Sequence, residues 1–204
     1  MYTNNHSYYS LRYGTIGEQE LLELAVECGA QTLVLTDINN TSGCLNFVRL
    51  AQQRGHRAAL GVDFRNGNTQ LYVGIAKNNS GFQELNAYLS AYLQDKKPFP
   101  EQAPAFEHVY VIYPLERVME LDKIRFRESE LIGISIAALR KLPFTKYVKM
   151  TDKLVVLQTV SFRNKRDFNI HRLLRSIDLN ILLSQLPTDQ QGDPNDVMMP
   201  VKEL

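Results

Sequence analysis

The stretch Leu33-Val34-Leu35-Thr36-Asp37 places a carboxylate directly after a short, almost wholly apolar run. Such a run is typical of a strand that is covered on both faces in a parallel sheet. Two further polar groups follow predicted strands: His6 comes after a first strand over residues 1–5, and Asp63 ends a third strand. Because the sites of α/β barrels lie at the carboxyl ends of the strands, we expect these three side chains at one rim.

Strands and helices alternate along the chain. The predicted strands cover residues 1–5, 32–36, 57–63, 70–76, 108–112, 131–134 and 154–158, and the predicted helices cover residues 17–27, 44–53, 81–93, 115–121, 137–142 and 167–186. The helices show one apolar face each, and several end at a glycine. Strand–helix units at this spacing call for a parallel sheet with right-handed crossovers, and therefore for an α/β fold of the distorted (βα)7 barrel type.

Two segments break this alternation. Residues 94–106 contain three prolines and predict a surface excursion, and residues 187–204 have no regular period and predict an irregular tail. The length of 204 residues fits a single domain over residues 1–204 that can bury a sizeable core.

The composition is that of a soluble globular protein, with 44% hydrophobic and 22% charged residues. A net charge of +1 argues neither for nor against nucleic acid, so no nucleic-acid-binding residue can be singled out. Cys28 and Cys44 fall in apolar helical stretches, so we expect both to be small core residues of a protein that works in a reducing compartment. The chain has no signal-peptide pattern and no apolar run as long as a membrane span, so we expect a cytoplasmic protein without a membrane partner.

Several motifs together resemble one known family. They are His6-Ser7-x-Tyr9-Ser10-Leu11, Leu33-x-Leu35-Thr36-Asp37, Ala76-Lys77-Asn78 and Asn164-x-x-Asp167-x-x-x-His171. This order resembles the polymerase-and-histidinol-phosphatase (PHP) family, in the version that opens bacterial DNA polymerase III alpha subunits. The run from Asp37 to Cys44 looks like the alpha subunits of Bacteroidetes-type bacteria. The resemblance implies an N-terminal fragment of a longer polymerase, with the last unit of the PHP barrel absent or incomplete.

The resemblance also implies where metal ligands would stand. Active members of the family carry His-x-His, Asp-His and Glu at three strand ends, and a further His and an Asp-x-His later in the chain. The matching positions here are Asn4 and His6, Asp37 and Ile38, Asp63, Leu71, and Thr159 and Ser161. Only His6, Asp37 and Asp63 are left as remnant metal ligands, which is too few for the three-metal chemistry of phosphoester hydrolysis. We therefore expect no cofactor and no catalytic residue, although residual zinc or manganese could bind the remaining three.

Each of these residues also has a structural interpretation. His6 could hydrogen-bond at the rim, Asp37 could cap the turn that follows it, and Asp63 could pair with an arginine. We expect His171 to pack or hydrogen-bond.

Two surface clusters have alternatives of the same kind. The aromatic cluster of Tyr8, Tyr9 and Tyr13 with Arg12 favours filling of the barrel mouth or contact with a neighbouring domain over base stacking. The basic stretch comprises Arg163, Lys165, Arg166, Arg172 and Arg175. It favours a solvated helix face over a phosphate contact.

The leading functional hypothesis is a non-catalytic PHP domain of a replicative DNA polymerase III alpha subunit. The resemblance implies that its partners are the remaining polymerase domains and the proofreading exonuclease subunit, and that it meets DNA through the parent chain. The alternative is an enzyme, a metal-dependent phosphoesterase or 3′–5′ exonuclease that uses His6, Asp37 and Asp63. A stand-alone PHP-like protein with a small phosphoester substrate is a third hypothesis.

Overall fold

The strands of the protein form one mixed sheet. The computed structural model describes residues 1–121 and 124–203. The strands are β1 Tyr2–Asn5, β2 Thr32–Leu35, β3 Arg57–Asn66, β4 Thr69–Ala76, β5 Val109–Pro114, β6 Glu130–Ile134, β7 Leu154–Val156 and β8 Thr159–Val160. In the described chain they make an eight-stranded sheet in the order β7-β6-β5-β4-β3-β2-β1-β8.

Helices cover the outside of this sheet. They are α1 Glu18–Glu27, α2 Cys44–Gln53, α3 Asn79–Gln94, α4 Leu115–Glu120, α5 Ile136–Leu139 and α6 Lys165–Leu179. Short 3-10 turns occupy Leu142–Phe144, Lys146–Lys149, Thr151–Lys153, Leu183–Gln185, Thr188–Gln190 and Val201–Glu203. No helix in the described part of the chain is long and apolar enough to cross a bilayer.

The sheet is curled so that its two edges approach each other. Strands β7 and β8 lie at opposite ends of the strand order, yet only Leu157 and Gln158 separate them in the chain. Three residue steps span at most about 11 Å, so both edges must lie side by side. Thr3 Oγ1 in β1 donates a hydrogen bond to the carbonyl oxygen of Val156 in β7 at 2.9 Å across this seam. The predicted barrel class is thereby confirmed, with eight strands instead of seven because a further short strand, β8, follows the last predicted one across the seam.

The expectation of an all-parallel sheet is wrong at β4. This strand runs antiparallel to both β3 and β5. Only Gly67 and Asn68 separate the paired residues Asn66 and Thr69, and Gly67 adopts a φ of +58°. Two residues are enough for a hairpin turn but far too few for the crossover that a parallel pair requires. The reversal brings the beginning of β4, with Leu71, to the rim where β3 ends.

The segment predicted as a surface excursion, residues 94–106, is anchored to the core. Phe99 is 5% exposed, and its ring centroid lies 5.2 Å from that of Phe64 and 5.2 Å from that of Tyr92. The backbone N–H of Ala103 donates to the Tyr113 hydroxyl at 3.0 Å. The segment thus covers one end of the apolar cluster built by β3, β4 and α3.

The segment predicted as an irregular tail runs along the seam side of the sheet; Leu204 lies outside the described residues. Val197 forms an isolated parallel bridge with Phe162, directly after β8. The backbone N–H of Met199 donates to the Tyr2 hydroxyl at 3.0 Å. This part of the chain therefore lies beside the residues that follow β8 and close to the rim described below.

Candidate functional site at the strand ends

His6 is fully buried at the end of β1, and both of its ring nitrogens are engaged. Nε2 lies 2.9 Å from Asp63 Oδ2, and Nδ1 lies 2.9 Å from Ser161 Oγ. An ionised carboxylate can only accept, so Nε2 carries the hydrogen, and in the neutral ring Nδ1 accepts from the Ser161 hydroxyl. The hydrogen-bonding interpretation of His6 is confirmed, although the side chain is buried instead of lining an open rim.

Asp63 is the centre of the site, because three donors converge on one of its oxygens. Arg65 Nε and Nη2 lie 3.0 and 2.7 Å from Asp63 Oδ2, in addition to His6 Nε2. Burial alone would raise the pKa of Asp63, but the Arg65 guanidinium and His6 more than offset this and lower it to about 2. Asp63 Oδ1 is buried and has no hydrogen-bond partner among the described residues. The predicted pairing of Asp63 with an arginine is confirmed.

Arg65 is itself enclosed. Its side chain is 7% exposed, and its guanidinium carbon lies 5.0 Å from the centroid of the Tyr13 ring. The Asn39 side chain accepts from the Arg65 N–H at 3.0 Å and donates to the Arg65 carbonyl oxygen at 2.9 Å. Asn39 can present both groups because it adopts a left-handed φ of +48°, which asparagine tolerates. The backbone of Arg65 is thus held by the loop that follows β2.

Asp37 holds the first loop instead of its own turn. Its Oδ1 accepts from the Ser7 N–H at 2.6 Å and from the Ser10 hydroxyl at 2.7 Å, and its Oδ2 accepts from the Ser7 hydroxyl at 2.7 Å. The prediction that Asp37 caps the following turn is therefore wrong. Ser10 Oγ performs that role by accepting from the Ile38 N–H at 3.0 Å. Both carboxylate oxygens of Asp37 are therefore engaged in hydrogen bonds that join the loop after β1 to the loop after β2.

Of the residues at the other family ligand positions, Asn4 and Thr159 bond to each other and Leu71 packs into the core. Asn4 Nδ2 donates to Thr159 Oγ1 at 2.9 Å, and Asn4 Oδ1 accepts from Thr36 Oγ1 at 2.8 Å. Leu71 is 2% exposed and belongs to the apolar cluster that includes Phe64. The polar side chains among them are hydrogen-bonded to protein groups and Leu71 is packed in the core, so these described residues offer no group of free atoms that could bind a metal.

His171 is a buried neutral residue beside this network, which confirms the structural interpretation. Nδ1 donates to the Tyr13 carbonyl oxygen at 2.9 Å, and Nε2 accepts from the Gly192 N–H at 2.9 Å. Protonation would place a second ring hydrogen against the Gly192 N–H. Burial lowers the pKa of His171 to about 4, although the bond to Tyr13 acts in the opposite direction.

Asp196 is a site neighbour that the sequence pattern did not indicate, since it lies in the tail predicted as irregular. Its carbonyl oxygen accepts from the N–H groups of Ser161 and Phe162 at 2.8 and 3.0 Å. Burial and the nearby Asp193 raise the pKa of the Asp196 carboxyl to about 7, and Arg65 partly opposes this shift. The Asp196 carboxyl is therefore within electrostatic range of the Asp63–Arg65 pair. Only the folded path of the tail brings it there.

The members of the aromatic cluster and of the basic stretch have different environments in the structure. Tyr13 is buried over Arg65, whereas Tyr8 is 48% exposed, and Arg12 pairs with Asp178 at 2.5 Å. In the basic stretch Arg163 pairs with Asp167 at 2.6 Å. Arg175 pairs with Asp178 at 2.6 Å, so these two arginines act within the fold.

The residues present do not fit a three-metal centre. His6, Asp37 and Asp63 direct their donor atoms to protein partners. In the part of the chain that the structure describes, no group of three or more His, Cys, Asp or Glu side chains is arranged to hold a metal ion. The guanidinium of Arg65 already binds the carboxylate that a metal would need.

A family model described as the PHP domain matches residues 3–136, which is 134 of the 204 residues. The chain belongs to the PHP domain family. This PHP domain is 26% identical over 161 residues to the DNA polymerase III subunit alpha of Ureaplasma parvum, covering 79% of the chain. It is 23% identical over 244 aligned positions to the DNA polymerase III subunit alpha of Buchnera aphidicola, covering 98% of the chain. It spans only 16% and 20% of the length of these two relatives.

Among solved structures, the PHP domain is similar to a candidate metal-dependent phosphoesterase from Bifidobacterium adolescentis. The two chains are 10% identical with a TM-score of 0.37, and the match covers 98% of this chain and 93% of the other.

The state of His171 predicts how stability depends on pH. Its folded-state pKa of about 4 lies below the unfolded value of about 6.5, so the unfolded chain binds more protons between these values. The contribution of neutral His171 to the free energy of unfolding is therefore fully present above the unfolded pKa and is lost as the pH falls toward the folded pKa. We expect His171 to contribute a loss of about 2 kcal/mol between pH 7 and pH 5. Protonation of Asp196, whose pKa is raised to about 7, stabilises the folded protein over the same range, so the His171 contribution is measured by urea unfolding as the difference between the wild type and a variant that cannot titrate at this position.

The variant His171→Gln keeps a polar side chain but cannot titrate. It should be less stable at pH 7 and should lack this part of the pH dependence. An unchanged slope in the variant would show that other groups cause the loss.

Proposed function

We propose that this chain is the PHP domain of a DNA polymerase III alpha subunit, in which it has a structural and docking role without metal-dependent chemistry. The family match and the two alpha-subunit relatives support this assignment. Nucleotide transfer and the contact with DNA would belong to other parts of the parent polypeptide. As a component of the replication machinery, the parent would work in the cytoplasm.

One observation carries the non-catalytic part of this proposal. The buried Asp63 carboxylate is bound by His6 and by Arg65, with donor distances of 2.7 to 3.0 Å. Metal-dependent phosphoester hydrolysis requires carboxylates and neutral imidazoles that are free to bind metals, which then acidify a water molecule. In this chain the same groups are used to hold β1, β3 and β8 together.

The surface of α6 supports a docking role. Ile170, Leu173 and Ile177 lie on one side of this helix and are 42%, 50% and 65% exposed. Large apolar side chains in a continuous row mark a contact surface more often than isolated ones do. We assign this surface to the remaining polymerase domains of the parent chain, with the proofreading exonuclease subunit as the further partner that the family suggests.

The metal content of the purified domain tests the non-catalytic assignment. We expect less than about 0.1 equivalent of zinc or manganese by plasma mass spectrometry, and no thermal shift on adding either metal. The variant Cys28→Ser is the control, because this partly exposed thiol could carry adventitious zinc. Two or more bound equivalents that survive in the control, together with cleavage of single-stranded DNA, would establish the enzyme alternative instead.

Co-purification tests the docking surface. The domain should bind the separately expressed remainder of its parent polymerase, and Ile177→Glu should weaken this association at least tenfold, because it places a charge in an apolar contact. Gln52→Glu, which adds the same charge to an exposed position on α2, should leave binding within twofold. Equal effects of the two substitutions, or binding to the exonuclease subunit alone, would exclude this use of the helix.

A further inference from the structure

The site retains the acidic groups of a metal centre but neutralises them in another way. This inference rests on the proposed function, in which the domain has no catalytic metals. Asp63 is fully buried, and a buried carboxylate must be paired to remain ionised. Asp37 satisfies its charge with three hydrogen bonds from Ser7 and Ser10. Asp63 has no hydroxyl donors of this kind. Among the described residues its donors are the His6 ring and the Arg65 guanidinium, and the permanent positive charge comes from Arg65.

We propose that the Arg65 guanidinium is the resident cation of this PHP domain, that it takes the charge-neutralising place of a metal ion, and that its removal uncovers a divalent-cation site at His6 and Asp63. A guanidinium is permanently charged and cannot be lost by chelation or dilution. The centre therefore stays neutralised whatever the metal supply of the cell.

The geometry around Arg65 is that of a built site. Nε and Nη2 both point at Asp63 Oδ2, at 3.0 and 2.7 Å, and the Tyr13 ring covers the guanidinium at 5.0 Å. A cation over an aromatic face gains further electrostatic stabilisation when it is shielded from water. The pair of bonds from Asn39 holds the Arg65 backbone in register with the end of β2.

The strand register explains how an arginine can reach this position. Asp63 and Arg65 are two residues apart on β3, so their side chains fall on the same face of the strand. Opposite them, β4 pairs Tyr72 with Phe64 and Gln70 with Arg65, so that Leu71 is the extra residue of a bulge. Leu71 also stands where the family resemblance places a histidine. Its side chain packs into the apolar cluster, and Arg65 supplies the positive charge on the other strand of the hairpin.

Removing Arg65 frees Asp63 Oδ2 from the guanidinium, and His6 Nε2 becomes a ligand when its hydrogen moves to Nδ1, where the Ser161 Oγ accepts it. His6 Nε2 and Asp63 Oδ2 are 2.9 Å apart, and Asp63 Oδ1 has no partner among the described residues. Imidazole nitrogen with carboxylate oxygen suits zinc and manganese, and water would complete the coordination. The Asp196 carboxyl also interacts electrostatically with both Asp63 and Arg65, although its pKa of about 7 leaves it only partly ionised at neutral pH.

The test compares three variants by thermal unfolding and isothermal titration with zinc chloride and manganese chloride. Arg65→Met keeps an apolar stem and removes the charge; it should melt at a lower temperature and be restabilised by zinc, with an affinity at least tenfold above that of the wild type. Arg65→Met/Asp63→Asn removes both charges and should recover part of the stability without responding to metal. Arg163→Ala, which breaks the ion pair with Asp167 near the surface, should behave like the wild type toward both metals.

The possible results separate this inference from the proposed function. A folded Arg65→Met protein that does not respond to either metal would overturn the inference, and so would an equal response of the double variant. Should Arg65→Met fail to fold while the double variant folds, Arg65 is shown to neutralise Asp63; failure of both to fold would contradict that role. Metal binding by the wild-type protein would contradict the proposed function itself.

Discussion

The fold around the rim depends on one constraint: the Asp63 carboxylate is ionised and lies fully out of water. Such a group is stable only if positive charge and hydrogen-bond donors reach it within the protein. His6 reaches it from the end of β1, and Arg65 reaches it from β3 itself. Ser161, just after β8, fixes the other side of the His6 ring. Three strands are therefore tied together through a single carboxylate.

The surrounding polar groups extend this arrangement around the barrel. Asp37 binds the first loop through Ser7 and Ser10, and Asn39 binds the backbone of Arg65. Asn4 and Thr159 bridge β1 and β8 beside the seam. A buried ion pair contributes little net stability compared with apolar packing, but breaking one partner is costly. The polar groups of the site therefore fix how the strand ends meet more than they add net stability.

Much of this architecture could be predicted from local sequence signals. The predicted bounds of the helix Cys44–Gln53 agree with the structure, because its apolar face indicates where it begins and Gly55 indicates where it ends. The strand ends that carry His6, Asp37 and Asp63 also meet as expected. The antiparallel direction of β4 does not follow from the alternation of strands and helices, although Asn66-Gly67-Asn68 is a hairpin signal.

The partners within the site could not be predicted in the same way. Asp37 bonds to residues about 30 positions earlier in the chain, and Asp196 reaches the site through a tail without regular period. No local pattern encodes such contacts, which arise only when the sheet curls. The proximity of Arg65 to Asp63 was visible in the sequence, but its burial was not. That burial removes the ion pair between Arg65 and Asp63 from water.

Protein groups occupy both ring nitrogens of His6. Nitrogen-15 NMR of the imidazole measures this directly, because it reports which ring nitrogen carries the hydrogen. We expect the hydrogen on Nε2 to stay in place in a tenfold excess of zinc. Loss of that hydrogen, or a zinc-dependent shift of either His6 nitrogen, would show that the site binds metal and would contradict the account.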